Sequence, residues 1–360
     1  MTTYLLAGGG TAGHVNPMLA VADGLKARRP DDEVLILGTA EGLESRLVPE
    51  RGYELLTVPK VPFPRRPNTA ALTFPVRFSR AVRTVRGYLR DRGVDVVLGV
   101  GGYASAPAYI AAKREGIPSV VHEANARPGM ANVLGARSAA AVGVAFDGTP
   151  MKRGEVVGMP LRPEIVGLDR AATRDEAARH FGLDPDRPIL LAFGGSLGAR
   201  RINAALAGSW NDILGAGWQV LHATGEKNAV DDHPEPGYAV VPYIDRMDLA
   251  LAAADLIVAR AGASTVSEIS ALGIPAVYVP YPVGNGEQRL NAASAVSSGA
   301  ARLIDDAEFT PDRVRSEILP MLADRDALER MTASAAVAGT RHGTENVIAH
   351  LDRAMKETRS

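Results

Sequence analysis

Short runs of consecutive apolar residues alternate with longer stretches of helical periodicity along the chain. The apolar runs fall at 3–7, 33–38, 53–58, 94–98, 119–122, 140–145 and 155–157. They resume at 188–193, 217–222, 238–241, 255–259, 275–279 and 301–304. Strands covered on both faces read as such continuous runs, and strands separated by helices pair in parallel. The pattern therefore predicts an α/β chain with two successive doubly wound parallel sheets. The segment from Gly158 to Glu164, with two prolines, reads as a linker, which gives domains 1–160 and 161–344. A charged helical pattern at 345–356 is expected to pack back on the first domain.

One helical stretch departs from the rest. Residues 65–90 hold seven arginines and no acid, with Leu72, Phe74, Val76 and Phe78 grouped just ahead of Arg80, Arg83, Arg86 and Arg90. Spacings of three and four put those arginines near one helix face and let Val82, Val85 and Leu89 pack inward. An apolar edge rimmed by cations suits an anionic membrane surface.

The bulk numbers narrow the classes. In 360 residues, 40 Lys and Arg balance 41 Asp and Glu, a net charge of −1 that gives no global pull toward nucleic acid. There is no cysteine, which removes disulfides, thiolate catalysis and cysteine metal sites. No signal peptide is expected at the start. The uncharged windows 96–112 and 269–286 are broken by glycines and prolines, so they read as buried strand–turn–helix joints rather than membrane spans.

Candidate chemistry sits in the turns after strands. Gly8-Gly9-Gly10-Thr11-Ala12-Gly13-His14 satisfies G-x-G-x-x-G and would suit a dinucleotide-dependent oxidoreductase. That reading needs an acid at the end of the second strand, and none stands there. Gly99 to Pro107 and Gly194-Gly195-Ser196-Leu197-Gly198 are further glycine turns. The stretch from Asp255 to Asn291 is the most specific. Ser264 and Thr265 fall at a helix N-terminus, where unpaired N–H groups favour anions. Glu268 follows a turn later, placed to accept from both hydroxyls of a ribose. A loop ending Glu287-Gln288-Arg289-Leu290-Asn291 then offers groups for sugar hydroxyls. Phosphate, ribose and sugar contacts in that order describe a nucleotide-sugar site.

These motifs resemble MurG, the bacterial N-acetylglucosaminyltransferases that convert lipid I to lipid II in peptidoglycan synthesis. The matching pieces are Gly10 to His14 with Asn16-Pro17, Gly101-Gly102-Tyr103, His122-Glu123-Ala124-Asn125, Gly158 to Arg162, Gly194 to Arg200, Ala263 to Glu268, and Gln288 with Asn291. Ala12, Ala124, Met159 and the run Val283 to Gly286 depart from the usual family residues. The resemblance implies a GT-B glycosyltransferase, two Rossmann-like domains across a cleft, that moves GlcNAc from UDP-GlcNAc to lipid I with inversion.

His14 is then the expected general base, since imidazole titrates near neutrality. UDP-GlcNAc is expected to meet Thr11, Ala12, Gly13, Asn125, Arg162, Ser196, Ile244, Ala263, Ser264, Thr265, Val266, Ser267, Glu268 and Gln288. Gly102, Tyr103 and Glu123 are acceptor-side candidates. The patch Leu72, Phe74, Phe78, Arg80 and Arg83 would hold the enzyme on the cytoplasmic face of the membrane. No cofactor or metal is expected: the Asp-x-Asp pairs at Asp184/Asp186 and Asp324/Asp326 read as caps or solvated faces, and His180, His222, His233, His342 and His350 show no ligand spacing. Another UDP-sugar transferase, a UDP-GlcNAc epimerase and a non-enzymatic nucleotide-sugar sensor remain as alternatives.

Overall fold

The computed structural model describes residues 1–64, 69–194, 199–226, 228, 235–283 and 285–359. The chain divides into two compact units, Met1–Arg162 with Arg341–Ser360, and Pro163–Thr340.

Unit 1 is built on strands β1 (Thr3–Ala7), β2 (Glu33–Gly38), β3 (Glu54–Thr57), β4 (Val96–Gly99), β5 (Ser119–Glu123), β6 (Ala141–Val144) and β7 (Gly154–Val156). They form one parallel sheet in the order β3-β2-β1-β4-β5-β6-β7. Side chains of a strand alternate between faces, and β1 shows it. Tyr4 and Leu6 pack with helix α1 (Ala12–Arg28) and the closing helix Gly343–Arg359, whereas Leu5 and Ala7 join Val82, Val85 and Leu89 on the other face.

The closing helix inserts Val347, Ile348, Leu351 and Ala354 into the core of unit 1. Gly24 lets it lie close on α1, because a Cβ there would stand 2.6 Å from the Thr344 methyl. Asn346 donates to the Val157 carbonyl at 2.9 Å, and Arg28 pairs with Asp352 at 2.6 Å.

Unit 2 repeats the plan with β8 (Ile189–Phe193), β9 (Gln219–Ala223), β10 (Tyr238–Val241), β11 (Leu256–Ala259), β12 (Ala276–Tyr278) and β13 (Ala301–Leu303). Its parallel order is β10-β9-β8-β11-β12-β13. In each sheet the strand order reverses once, between β1 and β4 and between β8 and β11. Ligands of open α/β sheets bind outside the carboxyl ends of the strands at that switch point.

Two expectations are corrected. Residues 287–291 are a short helix, not a loop; Gly286 turns into it at φ 79°, and Glu287 N–H donates to Asn285 Oδ1 at 3.3 Å. The arginine stretch does form helix α3 (Thr69–Asp91), but Arg86 and Arg90 both pair with Glu115 of helix α4 (Ser105–Glu115), so its cationic rim is reduced to residues nearer its start. Sequence spacing within α3 could not show an acid arriving from α4. Arg65 and Arg66 lie outside the described residues. No helix among the described residues is long and apolar enough to cross a membrane.

Candidate functional site

At the switch point of unit 1 two turns meet. Gly9 and Gly10 adopt φ of 141° and 93°, and Gly101 and Gly102 adopt 99° and 84°, a region that side-chain-bearing residues rarely enter. The turns also touch: a Cβ on Gly102 would lie 2.5 Å from the Gly9 carbonyl, and one on Gly101 would lie 2.9 Å from His14 Nε2. Gly101 thus makes room for His14, and Gly102 lets its turn approach Gly9. Thr11 Oγ1 stands 3.4 Å from His14 Nδ1. Burial, the largest influence, pushes the His14 pKa below its ordinary value, against the opposing pull of Glu123, the Gly9 carbonyl and Glu44. The imidazole is therefore neutral at neutral pH and able to accept a proton.

Glu123 ends β5 and is buried. It accepts from the backbone N–H of Asn125 at 2.9 Å and of Gly129 at 3.0 Å, and from Asn132 Nδ2 at 2.9 Å. Those bonds hold the loop leading into helix α5 (Met130–Gly135). Tyr103 is partly exposed, with Lys60 Nζ 5.0 Å above its ring. Thr11 and Ala12 are exposed, Gly13 and Asn125 half-buried, and Arg162 is the last residue of this unit.

The switch point of unit 2 carries a cavity of about 720 Å³ whose lining includes Arg200, Arg201, Arg260, Tyr281, Gln288 and Asp306. Arg260 pairs with Asp306 at 2.6 Å and donates to the Val279 carbonyl at 2.9 Å, with its guanidinium 5.4 Å from the Tyr281 ring. Gln288 Oε1 accepts from Tyr281 N–H at 2.9 Å, closing the loop between them. Asn291 is buried and donates to the Ala261 carbonyl at 3.2 Å, so it braces the turn after β11. The helix Ala263–Ala271 starts at that turn with Ala263 and Val266 buried and Ser264, Thr265, Ser267 and Glu268 half-buried. Ser264 Oγ is buried with no hydrogen-bond partner among the described residues. An orphaned hydroxyl at a nine-residue helix's N-terminus suits a phosphate oxygen. Ile244 is buried in the loop after β10. Ser196 lies outside the described residues.

Among the described residues of the expected donor set, only Gln288 lines the cavity itself. The arginines Arg200, Arg201 and Arg260 carry its positive charge, and the sequence reading gave them no role. Glu44, whose carboxylate receives Gly10 N–H at 2.8 Å, was also missed. The aspartate pairs do structural work: Asp324 caps a helix by accepting from Ala327 N–H, and Asp184 accepts from Asp186 N–H.

Two doubly wound parallel-sheet units, one presenting a neutral histidine and the other an arginine-lined cavity at its switch point, define a GT-B type of sugar transferase. Residues 4–144 match the glycosyltransferase family 28 N-terminal domain and residues 189–347 the glycosyltransferase family 28 C-terminal domain. A protein of Leifsonia xyli named UDP-N-acetylglucosamine--N-acetylmuramyl-(pentapeptide) pyrophosphoryl-undecaprenol N-acetylglucosamine transferase is 58% identical over 97% of this chain and 98% of its own. The protein of that name from Clavibacter michiganensis is 59% identical over 95% of this chain and 94% of its own. The crystal structure of Acinetobacter baumannii MurG superimposes with a TM-score of 0.80 at 29% identity, over 98% of this chain and all of the other. The chain belongs to glycosyltransferase family 28 and, within it, to the MurG N-acetylglucosaminyltransferases. A UDP-N-acetylglucosamine 2-epimerase from Listeria monocytogenes (TM-score 0.70, 14% identity) shares the fold alone.

Proposed function

We propose that the chain transfers GlcNAc from UDP-GlcNAc to the 4-hydroxyl of the N-acetylmuramyl sugar of undecaprenyl-pyrophosphoryl-MurNAc-pentapeptide, lipid I to lipid II, with inversion at the anomeric carbon. The observation that carries this reading is 58% identity, across nearly the whole chain, to a transferase of that name.

In this reaction the acceptor hydroxyl must lose a proton and the departing UDP must be stabilised. His14, neutral and framed by glycine turns, serves as the base. Gly102 and Tyr103 flank it on the acceptor side, and Glu123 acts by shaping the loop beside it. In unit 2, Glu268 takes the ribose hydroxyls, Ser264 and Thr265 with the N–H groups of Ala263 to Ser267 take phosphate, Gln288 takes sugar hydroxyls, and the main chain at Ile244 reads uracil. Arg260, Arg200 and Arg201 add positive charge for the pyrophosphate. Thr11, Ala12, Gly13, Asn125, Arg162 and Ser196 complete the donor contacts. No membrane span is needed if α3 docks reversibly on the cytoplasmic face of the membrane through Leu72, Phe74, Phe78, Arg80 and Arg83.

The test is a transfer assay with labelled UDP-GlcNAc and a lipid I analogue. Label moving to the lipid in step with UDP release is the expected result. Epimerised UDP-hexosamine without acceptor, or no transfer by folded protein, would sink the reading.

A further inference from the structure

Glu44 opens helix α2 (Glu44–Glu50), 34 residues beyond Gly10, and its carboxylate is fully buried against the first glycine turn. Oε2 accepts from Gly10 N–H at 2.8 Å, while Oε1 accepts from Thr39 N–H at 2.9 Å and from the Thr39 hydroxyl at 2.8 Å. Three glycines clear its seat. A Cβ at Gly9, Gly38 or Gly42 would stand 2.2, 2.5 or 2.0 Å from the Glu44 side chain. Burial pushes the Glu44 pKa up, but the hydrogen bonds from Gly10, Thr39 and its own N–H outweigh it and hold the carboxyl below the usual range. A buried carboxylate is tolerated only when its lone pairs are bonded in this way.

The peptide that Glu44 grips packs on the Gly101-Gly102 turn, which stands against the histidine. A peptide unit is planar and trans, so its N–H and C=O point to opposite sides. Gly10 N–H and the Gly9 carbonyl belong to one unit. With the N–H held by Glu44, the carbonyl is turned away from α2, toward the Gly101-Gly102 turn. There it packs on Gly102, and Gly101 beside it stands against His14 Nε2.

We infer that Glu44 is a positioning residue for the transfer reaction, acting on His14 through the Gly9–Gly10 peptide. This rests on His14 serving as the base. The carboxylate fixes the turn that packs beside the ring and so holds the ring's surroundings in place, and its charge adds proton affinity. The acids whose fields reach His14 are Glu123, from β5, and Glu44, from α2, and both oppose the effect of burial.

Glu44→Gln keeps the shape and removes the charge, so His14 should titrate at lower pH than in the wild type. The acidic limb of the kcat profile should move the same way. Turnover should fall about tenfold, with KM for both substrates within about twofold, as expected when a base is mispositioned and substrate binding is left intact. The measurements are the imidazole titration by heteronuclear NMR and steady-state kinetics against pH, with thermal unfolding as the check of folding. Either readout staying at its wild-type value in the folded variant overturns the inference. Should Glu44→Gln not fold, Glu44→Asp carries the test: it keeps the charge but withdraws from Gly10 N–H, so turnover falls about tenfold, and unaltered turnover overturns it. His14→Ala, assayed alongside, separates the two claims. Persisting turnover there rejects His14 as the base, while the imidazole titration of Glu44→Gln still decides whether Glu44 acts on the ring.

Discussion

Glu268 lies in the second turn of the helix Ala263–Ala271, half-buried, one turn beyond Ser264 and Thr265. Losing two charge-assisted hydrogen bonds to a ribose should cost on the order of 2–4 kcal/mol: each bond to a charged group contributes about 1.5–3 kcal/mol net, and water reaching the half-buried site replaces part of the pair. Glu268→Ala is therefore expected to weaken UDP binding by roughly 30-fold or more, read by titration calorimetry. Unchanged affinity in a folded variant would leave Glu268 as a helix-face acid. Its place on the helix was legible because its distance from the strand is a matter of helical period. Arg260 was not. It follows β11 directly, but its meaning comes from Asp306, which reaches it from a segment 46 positions later, and from Val279, just past the end of β12. Glu44 was hidden for the same reason, its partner Gly10 being reached only when β1 and β2 pair. Spacing within one segment reveals local chemistry; it cannot show which side chain will arrive from elsewhere.

At the scale of the element, the thirteen strands among the described residues lay within a few residues of apolar runs; the central ones, β1, β4, β8 and β11, are buried throughout, and a strand covered on both faces has nowhere to place a polar side chain. Their ends were less legible: 94–95 precede β4 outside the strand, with Asp95 N–H reaching the Thr3 carbonyl. Helix α3 shows what periodicity leaves out. Val82, Val85 and Leu89 face the core, as their spacing indicated. Phe74 and Phe78 stack with ring centroids 5.3 Å apart and both meet Phe63, and Phe78 also packs on the core, so their apolar surface is partly spent. Leu72 and Val76 remain 82% and 65% exposed, and Arg80 and Arg83 are exposed beside them. A sound membrane test uses those positions and spares the phenylalanines. Wild type should sediment with vesicles containing anionic lipid and lose that binding as salt rises. Each arginine near such a surface contributes about 1 kcal/mol, so Arg80→Glu with Arg83→Glu should cut partitioning by more than about tenfold. Leu72→Ser with Val76→Ser should also reduce it. Equal sedimentation of wild type and both double variants removes α3 from consideration.

At the scale of the molecule, the chain passes between its two units twice, at 162–163 and at 340–341. The closing helix buries Val347, Ile348 and Leu351 in the core of unit 1. Three such side chains at about 1.5–3 kcal/mol each amount to roughly 5 kcal/mol or more, comparable with the whole stability of a typical domain. Removing residues 341–360 should therefore abolish slow amide exchange throughout the first sheet, β1 to β7, while the sheet β8 to β13 keeps its protection. Hydrogen exchange followed by mass spectrometry reads both at once, and wild-type protection of the first sheet in the truncated chain would refute the expectation.

The returning helix also sets an order of assembly during translation. A ribosome delivers the chain from its first residue onward, at about 5–20 residues per second. Unit 2 is complete in sequence once Thr340 has emerged, but unit 1 still lacks a layer of its core at that moment. The unit that begins first is thus finished last. The turn that holds His14 gains its full support only when the final helix docks, so a nascent or prematurely terminated chain would fold its second half and leave the proposed base on an unfinished scaffold.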